Sequence, residues 1–266
     1  MKRSHAAMVA ACRLAIAAVL TLTIALKLAA GPAQAETWTG AQAPVQTQIP
    51  AQTQSERPLV DLALVLVVDA SGSIDPSEFR LQKEGIAAAI TDADILGAIR
   101  GGGHGRIAVA YVEWGSPGAP ANVVPWMLVG DRGSAERFAA SVLQAPRSPQ
   151  SWNAIGDAIH LATGMMETCP CRPTRRIIDL SGDNVDYRSH LPAPLARDAA
   201  VAAGITINAL AILNDDSRGA SGRPFLVEVY EREVIGGFAA FVATAADRGD
   251  FARALRQKMV QEISSR

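Results

Sequence analysis

The sequence predicts an α/β fold with a doubly wound, mostly parallel central sheet flanked by helices. The first observation is an unbroken apolar run rich in Val and Leu, Leu62–Val68, which is typical of a strand buried on both faces of a parallel sheet. The second is that further strand-like runs alternate with segments of helical periodicity, so that right-handed crossovers connect parallel strands. The third is that the first run stops in a polar turn, Asp69–Ser73, at the strand end where open α/β sheets place their ligands.

The first 35 residues have the features of a secretory signal peptide. Three basic residues precede the mainly apolar run Leu14–Leu26, and Ala33–Ala35 is a small-x-small cleavage signature. The apolar run is shorter than the ~20 residues that a membrane-spanning helix needs, which favours cleavage over permanent anchoring. We therefore expect cleavage after Ala35 and an exported protein, either periplasmic or secreted, of bacterial type.

Residues 36–58 form a stretch rich in Gln, Pro and Thr that has no apolar periodicity, which predicts a disordered spacer. The folded domain is then expected to span residues 59–266. Removing residues 1–35 takes away four of the 25 basic residues and none of the 26 acidic ones, leaving a formal charge of −5. A surface of this sign gives no reason to expect binding to nucleic acid or to an anionic membrane.

Two cysteines, Cys169 and Cys171, remain after the predicted cleavage. In an oxidising compartment they could pair with each other across a short Cys-Pro-Cys loop, and the sequence leaves open whether they do. The two cysteines do not predict a zinc site, because no histidine or second cysteine pair stands at ligand spacing.

The turn after the first strand carries one carboxylate and two hydroxyls, on Asp69, Ser71 and Ser73. These residues alternate, and Gly72 helps a tight turn to bring their oxygens around one point. Hard oxygen donors suit Mg²⁺, Mn²⁺ or Ca²⁺ rather than a soft metal. The alternative is that the two serines only cap the helix that follows.

The remaining elements follow from periodicity and from breaker residues. A helix begins at Asp75-Pro76 and runs to the glycines at 101–103, with a break near residues 92–94. Further helices are predicted at residues 134–143, 152–166, 194–203 and 251–263, and further strands at residues 106–114, 122–129, 176–180, 205–213 and 238–243. Pro125 predicts an edge position for its strand because proline cannot donate to a ladder.

The Asp69-x-Ser71-x-Ser73 motif resembles the first motif of the metal-ion-dependent adhesion site in von Willebrand factor A-type domains. In those domains the second motif is a threonine on the loop before a helix, and Asn153 stands at the matching position here. The third motif is an aspartate after the fourth strand, which Asp183 matches within Ser-Gly-Asp-Asn. The resemblance covers about residues 60–264 and implies a Rossmann-like A-type fold.

Other stretches are similar to an uncharacterised bacterial family of secreted A-type domains. That family implies a fold and a metal site, and it implies little about biological role. The stretches that carry the similarity are residues 112–114, 124–126, 176–183, 204–208 and 234–237.

The resemblance implies a divalent cation, Mg²⁺ or alternatively Mn²⁺ or Ca²⁺, held by five residues: Asp69, Ser71, Ser73, Asn153 and Asp183. Such an ion accepts an Asp or Glu carboxylate from a partner protein, and this binding requires neither a nucleophile nor a general base. Asn153 departs from the family pattern, because its amide reaches further than a threonine hydroxyl. Either the site is retuned or its affinity is weakened, with Ser151 as an alternative donor.

The sequence thus predicts an exported, metal-dependent protein-binding module of the adhesion type, without enzymatic activity. One alternative is a metal-dependent phosphatase of the haloacid dehalogenase type, in which Ser71 would occupy the place of the second aspartate. The other is a degenerate A-type scaffold domain that binds no metal. No catalytic triad can be proposed, since the histidines are scattered and Ser71 lacks a nucleophile elbow.

Overall fold

The computed structural model describes residues 57–118, 121, 123–213 and 218–265. The predicted signal peptide, with its cleavage site after Ala35, lies outside the described residues. The predicted spacer also lies outside them, apart from Arg57 and Pro58.

Strands and helices alternate along most of this part of the chain. The strands are β1 (Leu59–Asp69), β2 (Ile107–Trp114), β3 (Val123–Val129), β4 (Arg172–Gly182), β5 (Thr206–Ile212) and β6 (Val242–Ala245). The helices are α1 (Pro76–Ile90), α2 (Ala93–Arg100), α3 (Arg132–Gln144), α4 (Ile155–Glu167), α5 (Ala193–Ala202), α6 (Phe225–Glu233) and α7 (Phe251–Ser264).

The strands form one sheet in the order β3-β2-β1-β4-β5-β6, which confirms the predicted doubly wound α/β class. β1 lies near the centre and pairs in parallel with both β2 and β4. β3 lies at an edge, as the proline in its sequence predicted, and it runs antiparallel to β2. The register of β3 shifts so that Pro125 and Trp126 stand opposite Ala110, a bulge that accommodates the missing N–H of proline.

Helices cover both faces of the sheet, and β1 contributes to the core on each side. Leu62, Leu64 and Leu66 pack into the layer that contains α1, α2, α3 and α7. Ala63, Val65 and the other intervening residues of β1 pack into the layer that contains α4, α5 and α6. This double burial is the reason why the strand is an unbroken apolar run rather than an alternating one.

The predicted helix after the polar turn is confirmed, as is its break. Asp75 caps α1, since its carboxylate accepts hydrogen bonds from the N–H groups of Ser77 (2.7 Å) and Glu78 (2.9 Å). α1 ends at Ile90, and Asp92 caps α2. The cap therefore fixes the direction in which the chain leaves the turn that carries Asp69, Ser71 and Ser73.

Near the end of the chain, one predicted strand had the wrong bounds and one helix was not predicted. The last strand is Val242–Ala245 rather than 238–243, because the preceding segment turns at Gly237 and Ala239, which both have positive φ angles. Phe238 is 86% exposed in that turn. Helix α6 was missed, because five of its first six residues are apolar and so short a run does not distinguish a helix from a strand by periodicity.

A disulfide joins Cys169 to Cys171 in the turn between α4 and β4, with the Cα atoms 5.2 Å apart. The pairing left open by the sequence is therefore made. Among the described residues, the helices are all too short or too polar to cross a membrane.

Candidate metal centre

The sheet register brings two carboxylates to the same edge. Val68 of β1 pairs with Ser181 of β4, so Asp69 and Asp183 leave neighbouring strands at their carboxyl ends. Asp69 is fully buried, and the side chain of Asp183 is only 3% exposed. Burial, and then the nearby charge of Asp183, raise the pKa of Asp69 to about 7. Two such carboxylates repel each other unless a proton or a cation lies between them.

The turn after β1 directs further oxygens to this edge. The N–H of Ser71 donates to Asp69 Oδ1 (2.8 Å), and the hydroxyls of Ser71 and Ser73 lie 3.2 Å apart. Asp69 Oδ2 is buried and accepts no hydrogen bond from the part of the chain that the structure describes. A buried carboxylate oxygen without a donor is costly, and a bound cation would offset that cost.

Arg147 holds this turn in shape. Its Nη2 atom donates to the backbone carbonyls of Ala70 (3.1 Å), Ser71 (2.9 Å) and Ile74 (2.8 Å). Its guanidinium also lies 4.9 Å from the ring centre of Phe79 on α1. The turn is therefore organised before any ligand binds, by a residue that belongs to no recognisable sequence motif.

Asn153 lies on the adjoining loop, between the turn and the chain after β4. A Cβ placed on Gly72 would come within 3.3 Å of the carbonyl oxygen of Ser151, so the two loops are packed together. The carbonyl of Asn153 accepts a hydrogen bond from the N–H of Tyr187 (2.7 Å). Asn153 Oδ1 is buried and has no hydrogen-bond partner among the described residues. Ser151, the alternative metal ligand, lies on the same loop, where its backbone N–H donates a hydrogen bond to the hydroxyl of Ser116 (2.9 Å).

A cationic side chain that the sequence reasoning missed also reaches the centre. Arg248, in the turn before α7, forms ion pairs with Asp183 and with Glu78 of α1 (2.9 Å). Its side chain is 12% exposed. Arg248 therefore neutralises part of the negative charge that the two aspartates bring together. It is 65 residues from Asp183 in sequence, so no local pattern could have found it.

The donor set fits a hard divalent cation. It consists of carboxylate, hydroxyl and amide oxygens, with neither nitrogen nor sulfur, and such oxygens suit Mg²⁺, Mn²⁺ or Ca²⁺. Within the described ranges there is no group of three or more His, Cys, Asp or Glu side chains placed to hold a metal ion. A cation here would therefore depend on the hydroxyls and the amide as well as on Asp69 and Asp183. The role of these residues as metal ligands stays a prediction.

One family model, described as a protein of unknown function (DUF1194), matches residues 59–266 of the chain. The search of curated proteins found no match to this chain. The pilus adhesin SpaC from Lactobacillus rhamnosus GG is 15% identical, with a TM-score of 0.54, over 78% of this chain and 31% of that one.

Two further solved structures have a similar fold. A von Willebrand factor type A protein from Catenulispora acidiphila is 15% identical, with a TM-score of 0.51, over 77% of this chain and 43% of that one. Proximal thread matrix protein 1 from the mussel byssus, solved with a zinc-occupied MIDAS motif, is 16% identical, with a TM-score of 0.54, over 77% and 46%. The chain thus spans less than half the length of each of these proteins. The likeness establishes the fold, which is that of a von Willebrand factor A-type domain, as the sequence predicted.

Proposed function

Since the chain belongs to DUF1194, a family of unknown function, its role has to be argued from its own site, and we propose that it is an exported, metal-ion-dependent module that binds a partner protein and catalyses no reaction. The observation that carries the proposal is a buried Asp69 oxygen that accepts no hydrogen bond from the described residues, next to a second carboxylate and two hydroxyls. This arrangement is unfavourable by itself and favourable around a divalent cation.

The proposed ligands are Asp69, Ser71, Ser73, Asn153 and Asp183, and the proposed ion is Mg²⁺, with Mn²⁺ or Ca²⁺ as alternatives. A bound divalent ion supplies an open coordination position, which an Asp or Glu carboxylate of a partner protein can fill. The chain's own part is to hold its oxygens in place before binding. Arg147 fixes the turn through three carbonyls, and the packing of Gly72 against Ser151 fixes the neighbouring loop.

Export is part of the proposal. The Cys169–Cys171 disulfide supports it, because disulfides persist in oxidising compartments and are rare in the cytosol. The adhesin among the proteins of similar fold is compatible with a role in the cell envelope or outside the cell. Amino-terminal sequencing of protein recovered from the periplasm should give a chain that begins at Glu36, and an intact Met1 in the cytoplasm would reject export.

Titration calorimetry tests the metal site. Mg²⁺ added to the chelator-stripped protein should bind at one saturable site, and Asp183→Ala should abolish this binding. The partner is then sought by comparing proteins retained from an envelope extract with Mg²⁺ and with chelator. A partner retained only with Mg²⁺ supports the adhesion-type role.

The same measurements separate the two alternatives. Turnover of p-nitrophenyl phosphate that depends on the metal and on Asp69 would favour a phosphatase. Ser71 stands at the position of the second aspartate of such enzymes, and its hydroxyl, 3.2 Å from that of Ser73, is not the carboxyl acid or base that their chemistry uses. No calorimetric signal with Mg²⁺, Mn²⁺ or Ca²⁺ would favour a scaffold domain without metal.

A further inference from the structure

Two large aromatic side chains are exposed at the rim of the candidate metal centre. Trp152 is 43% exposed and Tyr187 is 53% exposed, and their ring centres lie 5.8 Å apart. Trp152 directly precedes Asn153, and the N–H of Tyr187 donates to the carbonyl of Asn153 (2.7 Å). Exposed apolar groups of this size are uncommon as a pair, and they adjoin a proposed metal ligand.

Arg188 lies over both rings. Its guanidinium carbon is 4.8 Å from the ring centre of Trp152 and 5.4 Å from that of Tyr187. The backbone of Arg188 has a φ angle of +73°, in the left-handed region that residues other than glycine rarely adopt. The chain therefore accepts an unfavourable backbone angle at the residue whose side chain covers the two rings.

The charge of Arg188 is not balanced within the described part of the chain, where it forms no ion pair or hydrogen bond. The nearest acid in sequence, Asp186, is bound to the N–H groups of Gly156 (3.2 Å) and Ala193 (3.0 Å). A guanidinium stacked on aromatic faces keeps the N–H donors at its edge free to bind a carboxylate in a two-pronged manner. Arg188 is thus placed to bind an acid from outside the chain.

We propose that Trp152, Tyr187 and Arg188, here called the rim patch, form a second anchor for an acidic segment of the partner protein. One carboxylate of that segment binds the metal ion, and a second binds Arg188 while neighbouring atoms cover the two rings. Trp, Tyr and Arg are the residue types that most often dominate the binding energy of protein interfaces. This inference rests on the proposed function, which it extends from one carboxylate to at least two.

Fluorescence anisotropy with a labelled ten-residue oligoglutamate tests the rim patch, with the corresponding oligoglutamine as the uncharged probe. In Mg²⁺, the parent protein should bind the oligoglutamate and not the oligoglutamine. Arg188→Ala should weaken binding by about tenfold, as expected for losing a charge-assisted hydrogen-bonded pair. Arg188→Lys keeps the charge without the planar fork and should fall in between.

Three controls keep the result specific. Arg132→Ala removes another exposed arginine, paired with Glu136 on α3, and should leave binding unchanged. Calorimetry should give Arg188→Ala the same Mg²⁺ affinity as the parent, because Arg188 forms no hydrogen bond or ion pair with the proposed ligands, all of which the structure describes. Trp152→Ala should also weaken oligoglutamate binding, and its melting curve shows whether the domain remains folded.

The outcomes separate this inference from the proposed function. If Arg188→Ala binds oligoglutamate as tightly as the parent while chelator still abolishes binding, the rim patch is rejected and the metal site stands. If chelator and Asp183→Ala have no effect while Arg188→Ala weakens binding, the metal-dependent function is rejected and the rim patch stands. If the parent does not bind oligoglutamate in Mg²⁺, an acidic partner segment is ruled out.

Discussion

Replacing Arg248 by glutamine should tighten Mg²⁺ binding. The Arg248 guanidinium pairs with Asp183, a proposed metal ligand, and so competes with a cation for the same carboxylate. Glutamine removes the positive charge and keeps a hydrogen-bonding side chain. We therefore expect the dissociation constant for Mg²⁺ to fall in Arg248→Gln.

The size of the effect follows from the two ion pairs of Arg248. Opposite unit charges about 4 Å apart attract by ~4 kcal/mol at an effective dielectric constant near 20, which suits a side chain that is 12% exposed. When Asp183 binds a metal ion, Arg248 can keep its ion pair with Glu78 (2.9 Å). Only a fraction of the attraction between Arg248 and Asp183 therefore opposes Mg²⁺ binding. We expect about a tenfold gain in Mg²⁺ affinity, or ~1.4 kcal/mol.

Titration calorimetry on the chelator-stripped parent, Arg248→Gln and Arg248→Lys measures this effect. Arg248→Lys retains the charge and should bind Mg²⁺ much as the parent does. Without metal, Arg248→Gln should melt at a lower temperature than the parent, because Asp183 and Glu78 lose their shared cation. Weaker Mg²⁺ binding in Arg248→Gln would refute the reasoning and would mean that Arg248 positions Asp183 rather than competing for it.

Three further predictions concern the metal centre and a buried charge cluster. Asn153→Thr should tighten Mg²⁺ binding in calorimetry, because a compact hydroxyl replaces an amide; unchanged affinity would reject only the role given to Asn153. Because the pKa of Asp69 is raised to about 7, this carboxyl group stays protonated below about pH 7 in the metal-free fold, and Mg²⁺ has to displace the proton. The affinity for Mg²⁺ measured by calorimetry should therefore increase up to about pH 7 and then level off. Lys258 forms ion pairs with both Glu262 (2.5 Å) and Asp179, and burial raises the pKa of Glu262 to about 8. Stability to denaturant should therefore fall from about pH 4.5 to pH 8, and Glu262→Gln should flatten this dependence; an identical slope in that variant would contradict it.

The parts of the centre that are local in sequence could be predicted, and the parts that depend on long-range contacts could not. Asp69 follows a strand whose apolar run shows that it is buried, and Asp183 follows another strand of the same sheet. Their meeting at one edge therefore follows from the parallel topology. Arg147 and Arg248 reach the centre across 76 and 65 residues of sequence, on loops whose path no periodicity encodes.

The rim patch shows the same limit. Trp152 and Tyr187 are far apart in sequence, and neither belongs to an apolar pattern. The long-range pairing of Asn153 with Tyr187 brings the two rings together. Helix α6 was missed for a different reason. Val227 and Tyr230 are spaced as on one face of a helix, but five of the six residues at 225–230 are apolar, and so short an apolar run fits a strand equally well.

The proposed metal site is tested most directly by a crystal structure of the protein grown with Mn²⁺. Mn²⁺ is used in place of Mg²⁺ because its anomalous scattering identifies the ion. We expect an anomalous peak at the carboxyl edge of the sheet, among the side-chain oxygens of Asp69, Ser71, Ser73, Asn153 and Asp183, and no such peak in crystals of Asp183→Ala. A Mn²⁺-saturated protein whose anomalous peaks all lie away from this edge would contradict it.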